Sequence, residues 1–283
     1  MQKALRNVKI RAISYWVLLN VNGVLYVIQP IVTPGHHLAV DTYIILGLQP
    51  MHKSPNFEIA STMTGMAVIF ICFTVANVSG FLILTQAQML SLSEEMTHLW
   101  VDANNHCQKT MKELSNFESV YLKYKVFNYV KETEIVNEYV KRHLIDIIGR
   151  HALNVSLLQG IEDTMRGPNA VGFLFLIVGL VAELLGGLKN TMLQVPFTLT
   201  QLGVDCYLGQ KIMDANIRFE RAVYDCKWEN FDQFNKKIVL VMLQNSQKTM
   251  KLTAGGMATL SFEVFMNIIR STYSAYNTLG SMV

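Results

Sequence analysis

The chain has 283 residues, of which 51% are hydrophobic and only 16% charged, with a formal net charge of +3. A soluble domain usually carries about 25% charged residues, so the deficit excludes an ordinary soluble domain and points to the membrane. The small positive excess gives no sign of a nucleic-acid partner.

The opening MQKALRNVKIR holds Lys3, Arg6, Lys9 and Arg11 and no acid, and leads into the uncharged run Ala12–Val32. That order resembles a signal peptide, but the apolar run is longer than the roughly 7–15 residues of a signal core, and no small-residue cleavage site closes it. A membrane span over 12–32 is expected instead, since about 20 apolar residues cross a bilayer. The following segment Thr33–Glu58 holds one Lys, no Arg, and three histidines, His36, His37 and His52, which read as exposed loop residues more than as metal ligands.

The second apolar run, Ile59–Ser93, carries no charge and is longer than a bilayer requires, so its helix is expected to continue into water through SLSEEM. The span is placed at 59–92. Asn77-Val-Ser79 fits the glycosylation pattern but falls inside this span, and Asn154-Val-Ser156 falls on the expected cytosolic side, so neither is expected to be modified.

The long stretch 94–166 is too structured for a plain loop. Val136, Val140, Leu144, Ile147 and His151 recur at helical spacing. Glu134, Glu138, Lys141, Arg142 and Arg150 fall on other faces, with Glu138 and Arg142 a favourable i,i+4 pair. An amphipathic helix packed on protein, or lying on the membrane surface, would have this pattern.

Two further spans are expected at 167–188 and 190–210. The first contains Glu183; the second is interrupted by Pro196 and Asp205. Each acid is a candidate functional group inside the membrane, or sits near an interface with Lys189 or Lys211 in reach. The stretch 211–251 holds eight Lys/Arg and a second helix, Asn235–Met250, whose apolar run Ile238–Leu243 is too short to span. It is expected to be buried by other protein, another copy of this chain included.

The last expected span, 253–283, begins polar, passes through Gly255–Gly256, and carries Glu263 and Arg270. Glu263, Asn267, Arg270, Ser274, Asn277 and Ser281 form one polar stripe on a helix. A charge at mid-bilayer costs at least ~2.5 kcal/mol on insertion scales, so the stripe must meet protein or water. Ile268, Thr272, Ala275, Leu279 and Met282 form a neighbouring stripe. Two readings stay open: the polar groups satisfy partners within one bundle, or one stripe touches neighbouring subunits while the other lines a conduit, with an apolar gate near Leu279. With basic loops on the cytosolic side, five spans put the N-terminus inside and the C-terminus outside.

The motifs CYLGQK (206–211), AVYDCKW (222–228), SQK (246–248), LTAG (252–255), LSFEVF (260–265) and STYSAY (271–276) follow one another in this order. In order and spacing they resemble the signature of the insect odorant receptors, with Thr249 and Thr259 where that signature commonly has proline. The resemblance implies an all-α polytopic membrane bundle over 1–283 with cytosolic helical anchor regions at 94–166 and 211–251. It implies seven spans, so five suggest that the first two are missing and that the chain is truncated. It also implies an odorant-gated, non-selective cation channel, a heterotetramer with a shared coreceptor subunit. The last helix lines the pore, so Ile268, Thr272, Ala275, Leu279 and Met282 are expected there. Glu263, Asn267, Arg270 and Trp228 are expected at subunit contacts.

The family's ligand pocket lies among its second, third, fourth and sixth helices, in the outer half of the membrane. The matching candidates for a small volatile ligand are Tyr26, Gln29, Met63, Met66, Phe70, Phe197 and Gln201, each of which ordinary helix packing would explain as well. A gustatory-type chemoreceptor and a non-functional fragment are the alternatives; the ending RSTYSAYNTLGSMV lacks the gustatory T-Y-hydrophobic-Q-F pattern. The four cysteines, Cys72, Cys107, Cys206 and Cys226, have no zinc spacing and read as free thiols. HExxH, phosphate-loop and nucleophile-elbow motifs are absent from the sequence, so neither an enzyme nor a cofactor is expected.

Overall fold

The computed structural model describes residues 2–32, 53–117, 125–185, 194–248 and 250–280. They form six α-helices and one small hairpin: α1 (Gln2–Val32), α2 (Asn56–Phe117), α3 (Lys125–Leu185), α4 (Gln194–Tyr224), α5 (Gln233–Ser246), β1 (Thr253–Ala254), β2 (Ala258–Thr259) and α6 (Phe262–Gly280). A short 3-10 turn, Trp228–Asn230, precedes α5. The chain divides into two compact units: residues 1–84, 164–210 and 252–283, and residues 85–163 and 211–251.

Helix length follows from the apolar runs and their polar continuations. At about 1.5 Å per residue, the 62 residues of α2 far exceed the roughly 30 Å of a hydrocarbon core. The helix therefore runs on through SLSEEM, as expected. Among the described residues, Asn56–Leu114 and Tyr129–Leu185 are long and apolar enough to cross a membrane, and Ala12–Leu25 is a shorter apolar stretch.

Four sequence expectations are corrected. The amphipathic segment and the third span are one continuous 61-residue helix, α3, which runs through Pro168. Pro196 does not interrupt a span: it is the third residue of α4, in the first turn, where backbone N–H groups have no intrahelical acceptor and proline's lack of one costs nothing. The second short helix is Gln233–Ser246, not Asn235–Met250. Its start is fixed by Asp232, whose carboxylate accepts from the Asn235 N–H at 2.8 Å. Finally, the last helix begins at Phe262, and residues 253–259 form an antiparallel hairpin.

The second unit has the clearest core. Met89, Leu92, Met96, Leu99 and Ala103 of α2 recur at spacings of three and four, and pack with Val136, Val140, Leu144 and Ile147 of α3. Ala215, Phe219, Val223 and Cys226 of α4 and Val239 and Met242 of α5 complete it. The expected periodicity of Val136–His151 is thus a buried stripe packed on this chain's own helices, and Glu138 accepts from Arg142 at 3.0 Å. Arg150 donates to both carboxylate oxygens of Glu95 of α2 through Nη1 and Nη2, and this bond holds its pKa above the usual range. Only one side of α5 is buried; Leu240 and Val241 are exposed.

In the first unit α1 meets α2 closely at Gly23, where a Cβ would come within 2.5 Å of the Cys72 sulfur. Phe70, Phe73, Phe175 and Leu174 are exposed, the distribution expected where the surroundings are lipid and not water. All four cysteines are free and buried.

Candidate functional site: the last helix and its root

The polar stripe of α6 faces outwards. Glu263, Asn267, Arg270, Ser274 and Asn277 are all exposed, whereas Ile268 and Ala275 are half-buried and Thr272 is only 3% exposed. Of the two stripes drawn from the sequence, the polar one is therefore presented to the outside of the subunit. Of the other stripe, Thr272 faces the subunit's own interior and Ile268 and Ala275 are partly covered. The Leu279 side chain and Met282 lie outside the described residues. Trp228 is 39% exposed on the turn before α5.

The root of α6 is built from backbone contacts. Ala254 accepts from the Met257 N–H at 3.3 Å, closing a turn whose central residues, Gly255 and Gly256, have φ of 68° and 75°. Positive φ at both central positions is what a type I′ turn demands and what glycine adopts freely. Leu260 N–H donates to the Leu252 carbonyl at 2.9 Å, closing the other end of the hairpin. Ser261 then caps α6, its hydroxyl accepting from Val264 N–H at 3.3 Å.

Both long neighbours hold this root. On α3, the Arg166 carbonyl accepts from Gly255 N–H at 2.9 Å. A Cβ on Gly255 would lie 3.1 Å from the Ala170 Cβ, and one on Gly256 would overlap the Arg166 guanidinium. On α4, Gly209 lies so close to Leu260 that a Cβ would overlap its carbonyl oxygen. Gly203 receives the Phe265 ring, 3.6 Å from where a Cβ would be. The Tyr207 and Phe262 ring centroids are 6.0 Å apart, and the Ser261 backbone N–H meets the Cys206 sulfur.

The expected pocket residues differ in how far the chain covers them. Met63, Met66 and Phe70 are 48%, 66% and 70% exposed; Phe197 is half-buried and Gln201 buried. The Tyr26 and Gln29 side chains lie outside the described residues. Instead α4 presents Thr198, Gln201 and Asp205 at spacings of three and four. Thr198 donates to the Glu183 carboxylate of α3 at 2.9 Å, and Gln201 hydrogen-bonds Asp205. Lys211, the expected partner of Asp205, lies 3.6 Å from Asp214. Sequence spacing could have linked 198, 201 and 205, but nothing local could show that Glu183 reaches Thr198. His36, His37 and His52 lie outside the described residues.

In the second unit a groove of about 1100 Å³ is lined by Tyr129, Thr133, Tyr139, His143 and Phe234 among others. Tyr139 stacks on His143 with centroids 3.9 Å apart, and Lys141 lies 5.3 Å over the Phe234 ring. Sequence reading missed this groove, because its aromatic residues come from α3 and α5, which lie far apart in the chain. Among the described residues no cluster of three or more metal-ligating side chains occurs.

Comparison with known proteins agrees with this architecture. The sequence profile described as 7tm Odorant receptor matches residues 1–273. The chain is similar to odorant receptor 85b of Drosophila melanogaster, 25% identical over 155 residues, covering 51% of this chain and 38% of that protein. It is similar to odorant receptor 2a of the same species, 23% identical over 257 residues, covering 89% and 62%. A shorter match, 21% identical over 90 residues (32% of this chain and 19% of that protein), is to the odorant receptor coreceptor of Ooceraea biroi. The chain thus spans less than two thirds of the length of these curated relatives. Among solved structures, olfactory receptor OR5 from Machilis hrabei in complex with eugenol superposes with a TM-score of 0.72 at 10% identity, covering 100% of this chain and 69% of that one, which shows a shared fold. Long helices extending beyond a membrane's thickness, a hairpin-rooted last helix with a polar outer face, and a profile match along nearly the whole sequence agree: this chain belongs to the insect odorant receptor family, a family of multi-pass membrane receptors.

Proposed function

We propose that this chain acts as a subunit of an odorant-gated, non-selective cation channel, assembled as a heterotetramer with a coreceptor subunit in the plasma membrane. The N-terminus is cytosolic and the C-terminus extracellular. The observation that carries the reading is the exposed polar face of α6, Glu263, Asn267, Arg270, Ser274 and Asn277. Two formal charges on that face would each cost at least ~2.5 kcal/mol against acyl chains at mid-bilayer. A junction of subunits around a hydrated ion path supplies both protein partners and water. Four copies of α6 around one axis give such a junction.

The similarity to a coreceptor supports a shared mode of assembly. The eugenol held by the related solved receptor supports a small volatile organic molecule as ligand. Tyr26, Gln29, Met63, Met66, Phe70, Phe197 and Gln201 remain the proposed ligand-contact set, and α6 the proposed pore helix, with Leu279 and Met282 towards its gate. Trp228 is proposed to contact a neighbouring subunit.

The test is whole-cell recording from cells co-expressing the coreceptor with this chain, both as it stands and extended at its N-terminus by the leading segment of odorant receptor 2a. A cation current evoked by members of a volatile panel that includes eugenol is expected from the extended form. Surface-expressed protein that gives no current with any volatile would overturn the reading.

A further inference from the structure

We infer that the hairpin 252–260 is a clasp that couples α3 to the first turn of α6, with Arg166 and Ala170 as its positioning residues. A flexible connection between two helices would let one move without the other. This connection is short, hydrogen-bonded at both ends, and held by two different helices at backbone distance.

Three features make the coupling. Gly255 N–H donates to the carbonyl of Arg166 at 2.9 Å, so the turn is tied to the backbone of α3 itself and not to a mobile side chain. The turn's two glycines leave no side chain between it and α3. The Ala170 methyl and the Arg166 guanidinium fill the space where Cβ atoms would stand. The Thr253 hydroxyl also accepts from Gly256 N–H at 3.0 Å, which stiffens the turn from within. Beyond the hairpin, one residue separates β2 from the Ser261 cap, and Leu260 is pressed on Gly209 of α4. A displacement of α3 near Arg166 therefore reaches Ser261–Phe265 through rigid backbone. Close-packed contacts of this kind transmit displacement because they do not compress.

The clasp concerns the geometry of α6, and its link to gating rests on the channel reading above. The test is designed to separate the two. Ala170→Leu places a larger side chain under Gly255 while keeping a good helix former in α3, and Ala170→Gly is the matched variant that leaves the seat open. Amide hydrogen exchange is measured on the purified full chain in nanodiscs. In Ala170→Leu, exchange of both the 252–260 hairpin and the first turn of α6 should quicken at least tenfold, with the 89–103 segment of α2 unchanged as the folding control. Arg166→Ala should give a smaller change of the same pattern. If the hairpin is released while Ser261–Phe265 keeps its protection, or if neither segment responds, the coupling is refuted. Recordings from the same variants in the N-terminally extended form, co-expressed with the coreceptor, make the second arm. Wild-type current with a shifted odorant concentration dependence in Ala170→Leu places the clasp in gating. Coupled exchange without any wild-type current leaves the clasp standing and removes the channel reading.

Discussion

At the residue scale, two buried side chains decide how the second unit behaves. Phe219 is 0% exposed and stacks on His151 at 4.5 Å with an interplanar angle of 13°. Removing its ring leaves a cavity in a core fed by four helices, and Phe219→Ala should cost about 3–5 kcal/mol, read as a lowered midpoint in thermal unfolding of the solubilised protein. His151 is 7% exposed and its Nε2 has no hydrogen-bond partner. Burial therefore lowers its pKa, because the imidazolium would lose its water. The unfolded chain holds an ordinary histidine, so the native state binds fewer protons as the solution is acidified. Stability is complete above roughly pH 6.5 and is lost as pH falls through the lower folded value. Unfolding midpoints measured between about pH 7.5 and 5 should fall for the wild type and fall less for His151→Phe. Equal slopes would show that other groups dominate. Cys226, pushed up to about 12 chiefly by burial, should resist thiol reagents at neutral pH for the same reason of desolvation.

At the element scale, α6 is the segment whose composition and surroundings disagree most. A lipid-facing helix would replace Glu263 and Arg270 with apolar residues at no cost and some gain. A helix at a wet subunit junction would not. Glu263→Leu and Arg270→Leu should therefore leave surface expression of the chain intact yet cut evoked current at least tenfold, measured by surface biotinylation beside whole-cell recording. Unchanged current in both would place the stripe against lipid. Leu279→Ser should raise the leak without ligand if an apolar constriction closes the path, and an unchanged closed-state conductance would remove Leu279 from the gate.

At the scale of the whole molecule, the chain divides into two compact units. The second unit has a core of alternating three and four spacing like that of a water-soluble bundle, yet it too exposes large apolar side chains such as Leu153 and Leu240, as the first does with Phe70, Phe175 and Leu174. Among the described residues the α6 polar face, Tyr224 and Val241 are exposed. The chain expressed without a coreceptor should accordingly give no evoked current and should migrate, in size-exclusion chromatography, differently from the co-expressed complex. Identical elution in both preparations would speak against the heteromeric assembly.

By itself the sequence determined the membrane class, the apolar runs, the helical periodicity of Val136–His151 and the odd polarity of the last helix. These are one-dimensional properties: hydropathy is summed along the chain and helical faces repeat every 3.6 residues. It could also show that the second apolar helix outlasts the bilayer, because charge returns at Glu94 without any helix-breaking residue. What it could not show depends on partners distant in the chain. The hairpin at 253–259 is a matter of Gly255 finding the Arg166 carbonyl 89 positions earlier, and a paired glycine alone reads equally as a bend. The seating of Leu260 on Gly209 and of the Phe265 ring on Gly203 likewise joins positions far apart in the chain. Which face of a helix is buried depends on which neighbour comes near enough to cover it, and only the tertiary structure brings that neighbour into place.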